Sequence, residues 1–303
     1  MSPEAICFGA LNLDRLYRVE RIAGGGEESF ILDCEETPGG SAANTAVGMA
    51  RLELKTGYIG KVASDREGEI LLKSFRDEGV DTGGVIVSKS GRSGTVTGYI
   101  DKKGERALYV DPGVNDTLRF EEISLDYAGS AKLLHLTSFV GTIPFEAQKK
   151  LVKILPNIEV SFDPGEIYAR KGLRALKPLV KRSRVIFPNE NELKLLTGAG
   201  YVEGSRILLN EGADIVAVKL AERGCYVTDG KEAYLVEPNE VKVVDTTGAG
   251  DAFCAGFLYG LLNNKDLHTC GRIGNFVASR CIMRVGARAG LPKLADLRRL
   301  RFA

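Results

Sequence analysis

Nine residues in the C-terminal half, Asp245-Thr246-Thr247-Gly248-Ala249-Gly250-Asp251-Ala252-Phe253, constrain the fold more than any other stretch. Residues 241–244 before them read as a strand. The run 253–262 after them is apolar and helix-forming, and it stops at Asn263-Asn264. A strand, a small-residue turn and a helix in succession put unpaired backbone N–H groups and the positive end of the helix dipole at one point, which suits an anion. Asp251 sits at that point too. As a plain helix cap it would repel a phosphate. The conflict resolves if Asp251 takes a proton from a hydroxyl while the amides of Gly248, Ala249 and Gly250 hold charge developing on a transferring phosphoryl group.

The rest of the chain supplies a setting for that turn. Residues 5–10 form a short apolar run that leads into Asn12-Leu13-Asp14. From residue 132 onward, apolar runs (132–136, 158–163, 184–187, 215–219) alternate with helical patterns, the mark of βαβ units and a parallel sheet with helices on both faces. Ligands in such sheets bind beyond the carboxyl ends of the strands, where Asn12 and Asp14 fall. Short β-patterns at 17–22 with 29–34, and at 94–100 with 106–110, have no helix between them. They read as two excursions that form one small sheet over a cleft, with a partner molecule covering its apolar face.

Two more stretches carry chemistry. Pro38-Gly39-Gly40-Ser41 opens a helix of small residues over 41–51. Gly40 lets backbone approach a ligand, and Asn44 lies one turn on, facing the same way. Asp163 ends a strand, and Asn189 with Glu192 follows the next. Carboxylates converging there suit Mg²⁺, which takes oxygen ligands and keeps waters. Asn189 and Glu192 also stand at capping-box spacing.

Other classes are disfavoured. A dinucleotide fingerprint is missing: Gly9-Ala10-Leu11-Asn12 lacks it, and Phe253 occupies the position that would need a small residue. No GxxxxGK[ST] loop occurs. The 41 basic and 40 acidic residues give a net charge of +1, a poor match to nucleic acid or an anionic membrane. With two histidines, a histidine-rich metal site is excluded. Six cysteines without a CxxC pair read as reduced thiols, and the lack of a leader or spanning run points to a cytoplasmic protein.

The Asp245–Phe253 stretch resembles the C-terminal signature of the PfkB, or ribokinase-like, family of sugar and nucleoside kinases, and Gly39-Gly40…Asn44 and Asn189-x-x-Glu192 match further motifs of that family. The resemblance spans essentially the whole chain. It implies an α/β, ribokinase-like three-layer sandwich with a mostly parallel central sheet and a small β-sheet lid. The chain is then one domain over 1–303, with lid insertions at about 12–37 and 89–112.

The implied reaction is ATP-dependent phosphoryl transfer to a hydroxyl of a small sugar, with a nucleoside as the alternative acceptor. Asp251 is the implied base, Asn12, Asp14, Gly40 and Asn44 hold the acceptor, and Asn189, Lys219, Gly224 and Asn275 border the nucleotide. Glu192 and Asp163 act on Mg²⁺, mostly indirectly. Asp245 and Thr247 match positions at which several relatives bind a monovalent cation such as K⁺, against the loop around Gly286. Lids of two subunits pair in several members, so a homodimer through the lid is implied. Ser41 and Thr137 depart from ribokinases, which often carry Lys and a carboxylate there, and lean away from ribose itself. A non-catalytic sugar-binding relative would be expected to have lost Asp251.

Overall fold

The computed structural model describes residues 2–103 and 105–299. In chain order it begins with β1 (Ala5–Phe8), β2 (Asn12–Val19), β3 (Ile31–Gly39), α1 (Ser41–Arg51), β4 (Thr56–Ala63), α2 (Arg66–Asp77), β5 (Asp81–Ser88), β6 (Gly94–Ile100) and β7 (Arg106–Asp111). Then come α3 (Leu125–Ala128), β8 (Leu133–Thr137), α4 (Thr142–Ile154), β9 (Glu159–Asp163), α5 (Gly165–Ala169), α6 (Leu173–Val180), β10 (Ser183–Ile186), α7 (Glu190–Thr197) and α8 (Tyr201–Asn210). The chain closes with β11 (Val216–Lys219), β12 (Cys225–Thr228), β13 (Ala233–Val236), α9 (Ala249–Leu262), α10 (Leu267–Cys281) and α11 (Leu294–Arg298).

The large sheet has the order β13-β12-β11-β10-β9-β8-β1-β4-β5. It is parallel except for β12 and β13, which fold back antiparallel at one edge. Alternation along β1 sets the layers. Ala5 and Cys7 point into a core shared with α1, α2, α9 and α10, while Ile6 and Phe8 point into one shared with α4, α6, α7 and α8. The central strands are buried on both faces, so they carry unbroken apolar runs rather than alternating ones.

The second sheet, β3-β2-β6-β7, joins the two excursions. Its centre is a parallel pairing of β2 with β6, from Asn12 opposite Gly94 to Arg18 opposite Ile100. Arg15 and Arg66 both bond to Glu36, and Arg15 also reaches Glu67, so this network ties the small sheet to the start of α2.

Several boundaries differ from expectation. Residues 241–244 form no strand. The segment joins neither sheet, and its end bonds to the end of α10, where Val244 N–H and the following Asp245 N–H donate to the Ile282 carbonyl. Val243 and Val244 stay exposed. The first strand of the small sheet starts at Asn12, five residues earlier than the sequence pattern indicates, because its register with β6 begins there. β5 was not apparent in the sequence, since Gly83 and Gly84 interrupt its apolar run. The turn expected over 101–105 includes Gly104, and the C-terminal helix expected from Asp296 onward runs on to 303; Gly104 and residues 300–303 lie outside the described residues.

Candidate active site

The site lies where β1, β9, β10 and β11 end and α1 and α9 begin. Gly248 is the N-cap of α9 with φ 77°, and a Cβ there would lie 2.5 Å from the Ala287 Cβ. Only glycine makes this turn at no strain while the chain passes so close. α9 starts at Ala249, two residues before the expected start, so Asp251 is its third residue rather than its cap. Ala249 N–H donates to the Thr246 carbonyl at 3.2 Å. The amides of Gly250 and Asp251 come before the first intrahelical bond, which Ala252 N–H makes to the Gly248 carbonyl at 2.9 Å.

Asp251 is gripped from α1. The Asn44 Nδ2 donates to its Oδ2 at 2.8 Å, and the Thr45 hydroxyl donates to its backbone carbonyl at 3.2 Å. The carboxyl group is packed on most sides, and this burial pushes it up to about 7. Asn44 and the nearby Ser41 hydroxyl favour its charged form, Asp163 opposes it, and Lys219 favours it. A carboxylate near 7 is matched to taking a proton at neutral pH.

Asn44 has a second partner that sequence reasoning missed. Arg288 Nε donates to Asn44 Oδ1 at 2.8 Å, and its Nη1 donates to the Ser74 hydroxyl at 3.1 Å. A donor-only guanidinium on one side and a carboxylate on the other fix which way the Asn44 amide faces. Arg288 gave no signal in sequence, because an arginine after a glycine loop reads as a solvated side chain.

Gly40 caps α1 with φ 104°, and a Cβ there would press to 2.2 Å from the Ala10 carbonyl. Beyond β1, Asp14 stands on β2 with a buried Oδ1 that has no donor. Burial raises its carboxyl to about 6, against the pull of Arg288. Asn12 is differently employed. Its Oδ1 accepts from Asn115 Nδ2 at 3.0 Å, and Asn115 also closes two bonds with the Leu11 backbone. Asn115 thus locks the junction between the two sheets.

On the opposite side, Lys219 and Asp163 meet as a buried pair, Nζ to Oδ2 at 2.7 Å. Burial disfavours the ammonium, but Asp163, with Glu192 beyond it, outweighs that and holds it charged. Lys219 Nζ lies beside the turn, 3.4 Å from where a Gly250 Cβ would be. Asn189 and Glu192 form the capping box, each side chain accepting the other's backbone N–H at 2.8 Å. Glu192 is nearly buried, and burial raises its carboxyl group, with Lys219 opposing. Among the described residues no group of three or more His, Cys, Asp or Glu side chains is placed to hold a metal.

Gly224 and Asn275 converge on one segment. Gly224 packs against the backbone of residues 236–238, and Asn275 Nδ2 donates to the Val236 and Glu237 carbonyls at 3.0 and 2.8 Å. Both amide hydrogens of Asn275 are thereby spent on structure. Asp245 accepts from Thr247 N–H and hydroxyl with Oδ1 and from Gly286 N–H with Oδ2. These bonds hold its carboxyl group below the usual range despite burial. Arg106 of β7 stands 3.7 Å from Oδ1. A groove of about 580 Å³ lined by Lys149, Lys153 and Arg182 shares no residue with this region.

A parallel α/β sheet, a helix tip with open amides and a buried carboxylate beside it fit a phosphotransferase acting on an alcohol group. Comparison with known proteins agrees: the pattern described as pfkB family carbohydrate kinase matches residues 2–294. The chain belongs to the pfkB family. It is 48% identical over 253 residues to a protein of Archaeoglobus fulgidus named "uncharacterized sugar kinase", covering 82% of this chain and 100% of that one. It is 32% identical over 287 residues to an ATP-dependent ribose-1-phosphate kinase of Halopiger xanaduensis, covering 93% and 92% of the two chains. Ribokinase of Arabidopsis thaliana, solved with ribose and ATP, superposes with a TM-score of 0.90 at 25% identity over 100% of both chains. Ribokinase of Thermotoga maritima gives 0.88 at 25% identity over 98% of both. The expected ribokinase-like fold, with its small separate sheet, is the observed one. The protein is an ATP-dependent kinase of sugar-like acceptors.

Proposed function

We propose that Asp251 is the general base, and that it deprotonates the acceptor hydroxyl as the γ-phosphoryl group of ATP moves onto it. The observation that carries this is the Asp251 carboxylate, poised near neutrality and held by Asn44 at the tip of α9. The amides of Gly248 and Gly250, backed by Lys219, stabilise the transferring group, while the expected third donor, the Ala249 N–H, is spent on the Thr246 carbonyl. Asp14 accepts from an acceptor hydroxyl, and Gly40 leaves room for the acceptor against the backbone. Asn44 orients the base, and Asn12 shapes the pocket wall through Asn115. Asn189, Gly224 and the segment held by Asn275 border the nucleotide.

The acid groups fit Mg²⁺ only as an ion carried by phosphates and water: Asp163 is spent on Lys219, which leaves Glu192 to hold it through water. Bound there, it would neutralise phosphate charge. The Asp245–Thr247 cation position already has protein donors on both carboxylate oxygens and a guanidinium beside it, so K⁺ is expected to change turnover little.

We read the small sheet as a lid inserted into one kinase domain. Phe30 (75% exposed) and Tyr109 (64%), with Ile31, Leu32, Leu108 and Val110, leave its outer strands apolar and open, which supports a homodimer through the lid. All six cysteines are unpaired, which fits a reducing compartment such as the cytoplasm.

The test is ADP release against a panel of sugars, sugar phosphates, sugar acids and nucleosides. Asp251→Asn is expected to keep fold and ATP binding while turnover falls about 10²–10⁴-fold. Near-normal turnover in that variant would remove Asp251 from the mechanism.

A further inference from the structure

Arg288 is the unusual charge in this molecule. Its guanidinium is enclosed between α1 and α2, with the Phe75 ring 5.9 Å away. Two of its nitrogens are bonded to neutral oxygens, Asn44 Oδ1 and Ser74 Oγ. Nη2 is buried and has no acceptor. No carboxylate stands within ion-pair distance of it among the described residues, although Asp14, Glu78 and Asp251 all act on it electrostatically. Burial lowers its affinity for the proton only to about 10, so it stays charged at neutral pH.

A desolvated guanidinium without a counter-charge is costly, and chains rarely keep one unless something binds there. The second unsatisfied atom of the same region is Asp14 Oδ1, an acceptor that lacks a donor. Asp14 and Arg288 act on each other electrostatically, and one unpaired donor and one unpaired acceptor in the same region suit a ligand that offers both a hydroxyl and an anionic group. Arginine's fork matches phosphate and carboxylate oxygens.

We infer that Arg288 is a specificity-determining residue for an acceptor carrying an anionic substituent, a phosphate or a carboxylate, beside the hydroxyls read by Asp14. The inference rests on the kinase reading above and adds the chemical class of its acceptor. Through Asn44 the anion would lie one amide away from the base, so recognition of the substituent and placement of the reacting hydroxyl share a side chain.

The experiment measures kcat/KM for sugar monophosphates, sugar acids and the matching neutral sugars, with wild type, Arg288→Met and Arg288→Lys. Calorimetric binding of the same compounds is measured without ATP. Wild type is expected to favour one anionic set over its neutral counterpart by at least about 100-fold, as a buried charge-assisted pair implies. Arg288→Met is expected to abolish most of that ratio, and Arg288→Lys to retain part of it. The set that carries the preference tells phosphate from carboxylate.

Equal use of neutral and anionic sugars by wild type overturns the inference and leaves the kinase reading standing. So does a loss in Arg288→Met that is the same for both sets and shifts the pH profile, which marks a residue that only positions Asn44. Binding of an anionic sugar that depends on Arg288, without any transfer from ATP, would sink the kinase reading and uphold the anion site. If Arg288→Met does not fold, Arg288→Lys decides: a ratio unchanged from wild type alongside equal binding of neutral sugars counts against the inference, and a reduced one supports it.

Discussion

At the scale of single residues, the proposed mechanism turns on one carboxylate kept from full solvation. Asp251 is raised to about 7 by burial, against the stabilising bond from Asn44. A base must be unprotonated to act, so kcat/KM is expected to fall as pH drops below about 7, measured as an acid limb in the pH–rate profile. Asn44→Ala removes a bond to the charged form, so that limb should move to higher pH; a limb that stays put would break the link between the two residues. The same shift has a cost in stability. Asp251 and Asp14 both bind protons more tightly folded than unfolded, so their contribution is complete below the unfolded pKa and is lost as pH rises through about 6 and 7. Asp251→Asn should therefore melt higher than wild type at pH 8, which differential scanning calorimetry can read. Asp251 and its glycine turn were legible in sequence because their geometry is made by neighbours along the chain. Arg288 was not, since it meets Asn44 across 244 residues.

At the scale of elements, the helix starts do the work. The Asn189–Glu192 box on α7 was readable from a spacing of three residues, and it formed as read. The α9 tip was readable as a turn, but the helix starts at Ala249, two residues before the expected Asp251, because the left-handed Gly248 takes the cap. Gly248→Ala should cost about 1–3 kcal/mol, because a Cβ at φ 77° is strained and meets Ala287. Urea denaturation measures that loss. A stability within error of wild type would mean that the turn relaxes easily. K⁺ titration of turnover tests the neighbouring Asp245 loop: a several-fold stimulation would show that the cation displaces the donors now bonded there. The segment 241–244 shows the limit of pattern reading. Its composition is that of a strand, but strand formation needs pairing with a neighbouring edge, and this segment bonds to the end of α10 instead.

At the scale of the whole molecule, the small sheet leaves apolar side chains in water on β3 and β7. Sedimentation equilibrium is expected to show a dimer, and Leu108→Lys, at 57% exposure, is expected to shift it toward monomer. A wild-type monomer at tens of micromolar would remove the lid pairing. The sequence alone determined the parallel α/β core, the glycine turn at the head of α9 and the two excursions, because each depends on periodicity or on contacts a few residues apart. Only the tertiary structure decided that β2 and β6 pair side by side, that Asp163 neutralises Lys219, and that Arg288 Nη2 is buried without an acceptor. Those outcomes depend on which distant surfaces lose their water together, and a one-dimensional pattern does not carry that information.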